Sequence, residues 1–157
     1  MSKAEIFRVP VIGWNMRLNG YVPLVRGSGE SVRRMMARCG RLLDAGSPVL
    51  LFPEGRRTDD GTMQPFKYDA FELAVRHRVA VLPIAVHGTR RALPKHGLVL
   101  RDHVNARVEV LPPLYPADFA DRGSDAVGAL RDAARLRIDA ALQAMDGETR
   151  RASGPLL

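Results

Sequence analysis

With 157 residues, 46% of them hydrophobic, the chain can bury the core of one domain, which sets aside disordered and low-complexity classes. A net charge of +7, with Arg far outnumbering Lys, directs it toward anionic partners such as membrane headgroups, phosphorylated substrates or nucleic acid. A single cysteine, Cys39, rules out an intrachain disulfide, and the longest apolar run, Val79 to Val86, falls well short of the ~20 residues that a bilayer-spanning helix needs.

Met1 to Glu5 is polar, so no secretory leader is expected, and the lone Cys39 leads to the expectation of an intracellular setting. Phe7, Val9, Val11, Ile12, Trp14, Met16 and Leu18 then read as the interior of a domain whose beginning is absent. Tyr21 to Val25 reads as a strand, followed by a loop at Arg26 to Gly29. Ser28 is a suitable N-cap for a helix over 29–44, along which Val32, Met35, Met36, Cys39, Leu42 and Leu43 recur at helical spacing, and Gly46 closes it. On the opposite side Arg34, Arg38 and Arg41 form a basic face, either solvated or suited to anionic lipid.

Val49 to Phe52 reads as a short strand buried on both faces, ended by Pro53. Tyr68 to Arg78 reads as a helix, Val79 to Val86 as the next buried strand, Leu98 to Leu100 and Ala106 to Leu111 as two more. The last of these alternates, Val108 and Val110 against Arg107 and Glu109, as a half-exposed edge does. An amphipathic helix over 125–145 precedes a flexible tail at 146–157. Strands alternating with helices give an α/β class: a single domain, residues 1–145, with a largely parallel central sheet flanked by helices.

Chemistry concentrates where Val49 to Phe52 empties into Glu54, Gly55, Arg56 and Arg57, because ligands of open α/β sheets bind beyond the carboxyl ends of strands. A polar turn with a surface salt bridge is the plain alternative. Arg26 follows another strand and precedes a helix N-terminus, whose free N–H groups favour an anion, and a guanidinium adds bidentate contact to phosphate oxygens. No Walker A sequence, Gly-x-Ser-x-Gly elbow or zinc-ligand cluster occurs, and basic residues are not interleaved with aromatics as a base-stacking platform requires.

Four blocks in order resemble the glycerolipid acyltransferase family that includes the 1-acylglycerol-3-phosphate acyltransferases. FPEGRR, Phe52 to Arg57, resembles its Phe-Pro-Glu-Gly-x-Arg block, and PFKYDA, Pro65 to Ala70, its Pro-Phe-Lys-x-Gly-Ala continuation, with Asp69 where many relatives have Gly. VLPIAVHGTRRALPK, Val81 to Lys95, resembles the later apolar block, and Ile6 to Gly27 the segment that ends in the family's Gly and Arg, here Gly20 and Arg26. The likeness covers roughly residues 4 to 114.

The resemblance implies transfer of a fatty acyl group from acyl-CoA or acyl carrier protein (acyl-ACP) to a hydroxyl of a lysophospholipid or glycerol phosphate. It assigns substrate phosphate binding to Arg26, Glu54, Gly55, Arg57 and Lys67, with Arg57 making the charge contact and Glu54 orienting arginines or accepting a hydrogen bond from the acceptor hydroxyl. Arg56 holds the variable position, and a solvated lysine is the alternative for Lys67. No metal and no cofactor beyond the acyl donor are implied. The family's catalytic His-x4-Asp motif does not occur: five positions after His77, His87, His96 and His103 stand Leu82, Ala92, Arg101 and Val108. His87, at a strand end, is the substitute considered, with no carboxylate at a useful local spacing. The expectation is an N-terminally shortened family member, catalytically impaired as given, cytoplasmic and peripheral at the inner face of the cell membrane. The alternatives are a non-catalytic remnant that binds anionic headgroups and a basic nucleic-acid-binding protein, the latter unlike the pattern of charges described above.

Overall fold

A computed structural model describes residues 2–3, 10–18, 23–24, 28–55, 58, 61–89 and 104–152. Its contacts fall into two compact units, Met1–Pro53 and Glu54–Leu157.

In the first unit, β1 (Ser2–Lys3) pairs in parallel with β2 (Pro23–Leu24), Ser2 opposite Pro23 and Lys3 opposite Leu24. Between them lies α1 (Ile12–Leu18), a helix that the periodicity of this apolar stretch does not predict. Helix α2 (Gly29–Asp44) has the expected bounds for the expected reasons. The Ser28 hydroxyl accepts the Ser31 N–H at 3.2 Å, satisfying one of the first-turn donors. At the other end Gly46, at φ 77°, turns the chain so that its N–H reaches Leu43 O and the Ser47 N–H reaches Leu42 O, each at 2.9 Å, the paired bonds of a Schellman turn. Met35 and Cys39 are buried from one face, and burial pushes the Cys39 thiol pKa up from 9.0.

Val49 to Phe52 departs from expectation. It forms no ladder among the described residues, and Leu50 and Phe52 are exposed while Val49 and Leu51 are half-buried. The alternation is that of an extended segment covered on one side, not of a strand buried on both. Pro48 and Pro53 on either side lack the N–H that would extend pairing.

The second unit is built on α3 (Asp69–His77) and the long α4 (Ala126–Ala152), which share a core of Phe66, Phe71, Ala74, Leu114, Leu130 and Ala134. The Phe66 and Phe71 rings stack at 6.2 Å between centroids. Arg78 ends α3 in the left-handed region, φ 53°, a position where Gly is usual. Strand β3 (Ile84–His87) pairs antiparallel with β4 (Arg107–Val110), Ile84 opposite Val110 and His87 opposite Arg107, and a bridge between Val81 and Leu114 extends the pairing. The described ladders are thus one parallel and one antiparallel, where a largely parallel sheet was expected.

Burial sorts this hairpin by face. Ala85 is fully buried in a cluster with Leu111, Ala141 and Met145, whereas Val86, Val108 and Val110 are exposed. Val79 to Val86 is therefore covered on one face rather than two, and β4, expected to be half-exposed, has all four residues exposed, with Arg107 paired to Glu148 on α4. Two 3₁₀ turns within Pro116–Asp125, broken at Gly123, lead into α4. That helix runs past residue 145, the boundary expected for a flexible tail, to Ala152, and Thr149 Oγ1 donates to Met145 O at 2.9 Å within the extension. The expected strand at Leu98 to Leu100 lies outside the described residues.

Candidate acceptor-binding site

Pro53 and Glu54 begin a turn that Gly55 completes at φ 70°, a conformation in which an L side chain is strained. The turn aims the Glu54 carboxylate back across its own loop. Its Oε2 accepts the Gln64 N–H at 2.8 Å, so residues ten apart in sequence are clamped together. Lys67 then lies over Gly55: a Cβ added there would sit 3.0 Å from Lys67 Cε and 3.1 Å from its Nζ. Gly55 thus serves twice, supplying the positive φ and the open space that the lysine occupies.

The structure therefore brings together Glu54, Gly55 and Lys67, three of the five residues expected to hold the acceptor phosphate. Arg26 and Arg57 lie outside the described residues. A half-buried carboxylate beside an ammonium-bearing loop does not itself attract phosphate. Its described bond is structural, closing the loop that carries residues 55–63, and this loop-closing role goes beyond the orienting role expected from sequence.

His87 ends β3, and its Nε2 lies 2.7 Å from Asp146 Oδ1 on α4. With the carboxylate oxygen as acceptor, Nε2 donates in this contact. The imidazole is largely shielded, with 22% of its side chain exposed. Its cross-strand neighbour Arg107 pairs with Glu148, and that hydrogen bond, then the Glu148 charge, raises the guanidinium pKa. No carboxylate stands at a useful local spacing from His87 in the sequence, and the one that reaches it comes from a distant element. Asp146 is the residue sequence reasoning missed, because it lies 59 positions away on another element and carries no local motif. Gly88 follows at φ 82° with its α-carbon against the Asn105 carbonyl, which keeps this strand end tightly turned. A carboxylate-held imidazole can act as a general base if it reaches a hydroxyl.

Among the described residues no group of three or more His, Cys, Asp or Glu side chains could hold a metal ion, and no helix is long and apolar enough to cross a membrane.

The acyltransferase family matches residues 1–87, which include the Glu54 loop and β3. The chloroplastic 1-acyl-sn-glycerol-3-phosphate acyltransferase BAT2 of Brassica napus is 40% identical over 115 residues, 73% of this chain and 33% of that protein. The 1-acyl-sn-glycerol-3-phosphate acyltransferase alpha of Mus musculus is 32% identical over 136 residues, 86% of this chain and 47% of that protein. The chain thus spans between a third and a half of the length of these two relatives. In fold it is similar to the crystal structure of the 1-acyl-sn-glycerophosphate acyltransferase PlsC of Thermotoga maritima, with a TM-score of 0.67 and 24% identity over 89% of this chain and 55% of the other. With more than half of its length matched by the family and the same fold in a solved member, the chain belongs to the acyltransferase family.

Proposed function

We propose that these 157 residues carry the acceptor side of a 1-acylglycerol-3-phosphate acyltransferase and bind the phosphate of a lysophospholipid or glycerol phosphate, the role that the family resemblance gives to Arg26, Arg57 and Lys67. The convergence of Glu54, Gly55 and Lys67 within the matched segment carries this reading. In the complete reaction the acceptor hydroxyl attacks the thioester carbonyl of acyl-CoA or acyl-ACP, its proton goes to a base, and the thiol leaves with the acyl–oxygen bond formed. The sequence contains no His-x4-Asp pair, so by this reading it binds acceptor and transfers acyl groups poorly or not at all. Work at a membrane surface, peripheral and on the cytoplasmic side, fits a lipid acceptor and a net charge of +7.

Affinity for a lysophosphatidate below its micellar concentration tests this. Arg57→Ala and Arg26→Ala should each weaken binding by about 1.5 to 3 kcal/mol, the range for a hydrogen bond to a charged group, with little change in Tm. Unaltered affinity in both removes the site. The Asp146 contact favours a second reading, in which His87 serves as base. Acyl transfer above a boiled control that disappears in both His87→Ala and Asp146→Ala would establish it, and no turnover in the parent chain would discard it.

A further inference from the structure

Strand β4 leaves one of its two edges open. The Leu111 N–H donates to Pro83 O at 2.9 Å, and Glu109 and Arg107 stand opposite Ala85 and His87, so the odd-numbered residues turn their peptide groups toward β3. In an antiparallel ladder the alternate residues turn theirs the other way. The N–H and C=O of Ala106, Val108 and Val110 therefore point away from β3, where they meet no hydrogen-bonding partner among the described residues. Residues 105–110 are all exposed, Val108 at 64% and Val110 at 60%. A row of unpaired peptide groups of this kind is a template for another strand.

Charge narrows what that strand is. Edges are commonly blunted by charges that repel an approaching copy, but in Arg107-Val108-Glu109-Val110 the sign alternates. Two copies of β4 set antiparallel about a two-fold axis at Val108 place Val108 opposite Val108, and Arg107 opposite Glu109 of the second copy on both sides of the axis. Moving the axis by one residue sets Glu109 against Glu109, or Arg107 against Arg107, like charges directly opposite in a closely spaced pair. An axis between two residues sets an outward-turned peptide against an inward-turned one and makes no ladder.

We infer that two copies of this chain join edge to edge through β4, antiparallel about a two-fold axis at Val108. Each Val108 N–H donates to Val108 O of the second copy, and Val110 exchanges bonds with Ala106. Pro112, the next residue in the alternation, has no N–H, so the pairing ends there. On one face the exposed Val86 and Val108 of both copies form a continuous apolar row across the joined sheets. On the other, Arg107 keeps Glu148 of its own α4 and adds Glu109 of the second copy, which the several donors of a guanidinium allow. Both copies use the same patch, so assembly closes at two. The inference goes beyond acceptor binding and does not depend on it.

Sedimentation equilibrium of the full chain, over concentrations from micromolar to millimolar, should show monomer passing to dimer and no further. Amide exchange at Val108 and Val110 should slow as concentration rises, while Leu111, already bonded to Pro83, changes little. Val108→Pro removes the central N–H without touching the bonds to β3, and should give a monomer that keeps the Leu111 protection. Glu109→Arg should weaken association about tenfold by turning both cross-strand pairs repulsive, and the charge-swapped Arg107→Glu/Glu109→Arg should restore it. A monomer at every concentration, assembly beyond a dimer, or a dimer that survives Val108→Pro would each overturn the inference. So would a Glu109→Arg chain that associates as the parent does, or a charge-swapped chain no tighter than Glu109→Arg. Slow Val108 exchange in a chain that stays monomeric would also overturn it, by giving the edge to another segment of the same molecule.

Discussion

The bond between Glu54 and the Gln64 N–H makes a sharp prediction, because it joins the two ends of the loop on which the proposed site depends. Glu54→Ala removes the acceptor and leaves a partly buried backbone N–H in need of water. A hydrogen bond to a charged group contributes about 1.5 to 3 kcal/mol, and a neutral one about 0.5 to 1.5 kcal/mol. For a chain of this size each kcal/mol corresponds to a Tm change of roughly 2 to 4 °C, so Glu54→Ala should lower Tm by roughly 3 to 12 °C. Glu54→Gln keeps an oxygen at the same reach and should lose about half as much. The readouts are thermal unfolding followed by circular dichroism and limited proteolysis within residues 55–63, which should be cut faster in the alanine variant. If the two variants melt together, or if Glu54→Ala melts as the parent does, the bond from Glu54 to the Gln64 N–H does not contribute to stability as argued. If Glu54→Gln keeps its fold but loses lysophosphatidate affinity, the carboxylate acts on the acceptor or its arginines as well.

Gly88→Ala combines a φ of 82° with a Cβ that would collide with the Asn105 carbonyl, and should cost at least about 2 kcal/mol in denaturant unfolding; a smaller loss would mean that the strand end is loosely turned. Arg78→Gly relieves a left-handed residue and should stabilise by up to about 1 kcal/mol, measured the same way, with a loss showing that the arginine side chain has a role the helix end depends on. Cys39, 1% exposed, should resist a thiol reagent in the native state and react only on unfolding. Because its pKa is raised from 9.0, the folded state holds its proton where the unfolded chain loses it. The stabilisation is present below 9.0 and is lost as pH rises toward the higher folded value, so Cys39→Ser should flatten the alkaline limb of the stability profile.

Much of the local architecture was legible in the residues. Ser28 and Gly46 marked the ends of α2 because a cap hydroxyl and a positive φ act within one helical turn, and the same short reach let Tyr68 to Arg78 be read as a helix. The blocks at Phe52 to Arg57, Pro65 to Ala70 and Val81 to Lys95 pointed to the family, and the acyltransferase match confirms it. What depended on distant partners was not legible. Val49 to Phe52 has the composition of a buried strand, yet pairing and cover come from elsewhere in the chain, and the structure leaves half of its side chains in solvent. Periodicity in Ala106 to Leu111 separated Val108 and Val110 from Arg107 and Glu109, but it did not foretell that all four residues of β4 stay exposed or that Arg107 meets Glu148 on α4. The same helix, by running beyond residue 145, set Asp146 against His87 across 59 positions. Backbone conformation and capping are properties of neighbours in sequence. Which face is buried, and which carboxylate meets which imidazole, depends on how helix and hairpin pack, and no local pattern encodes it.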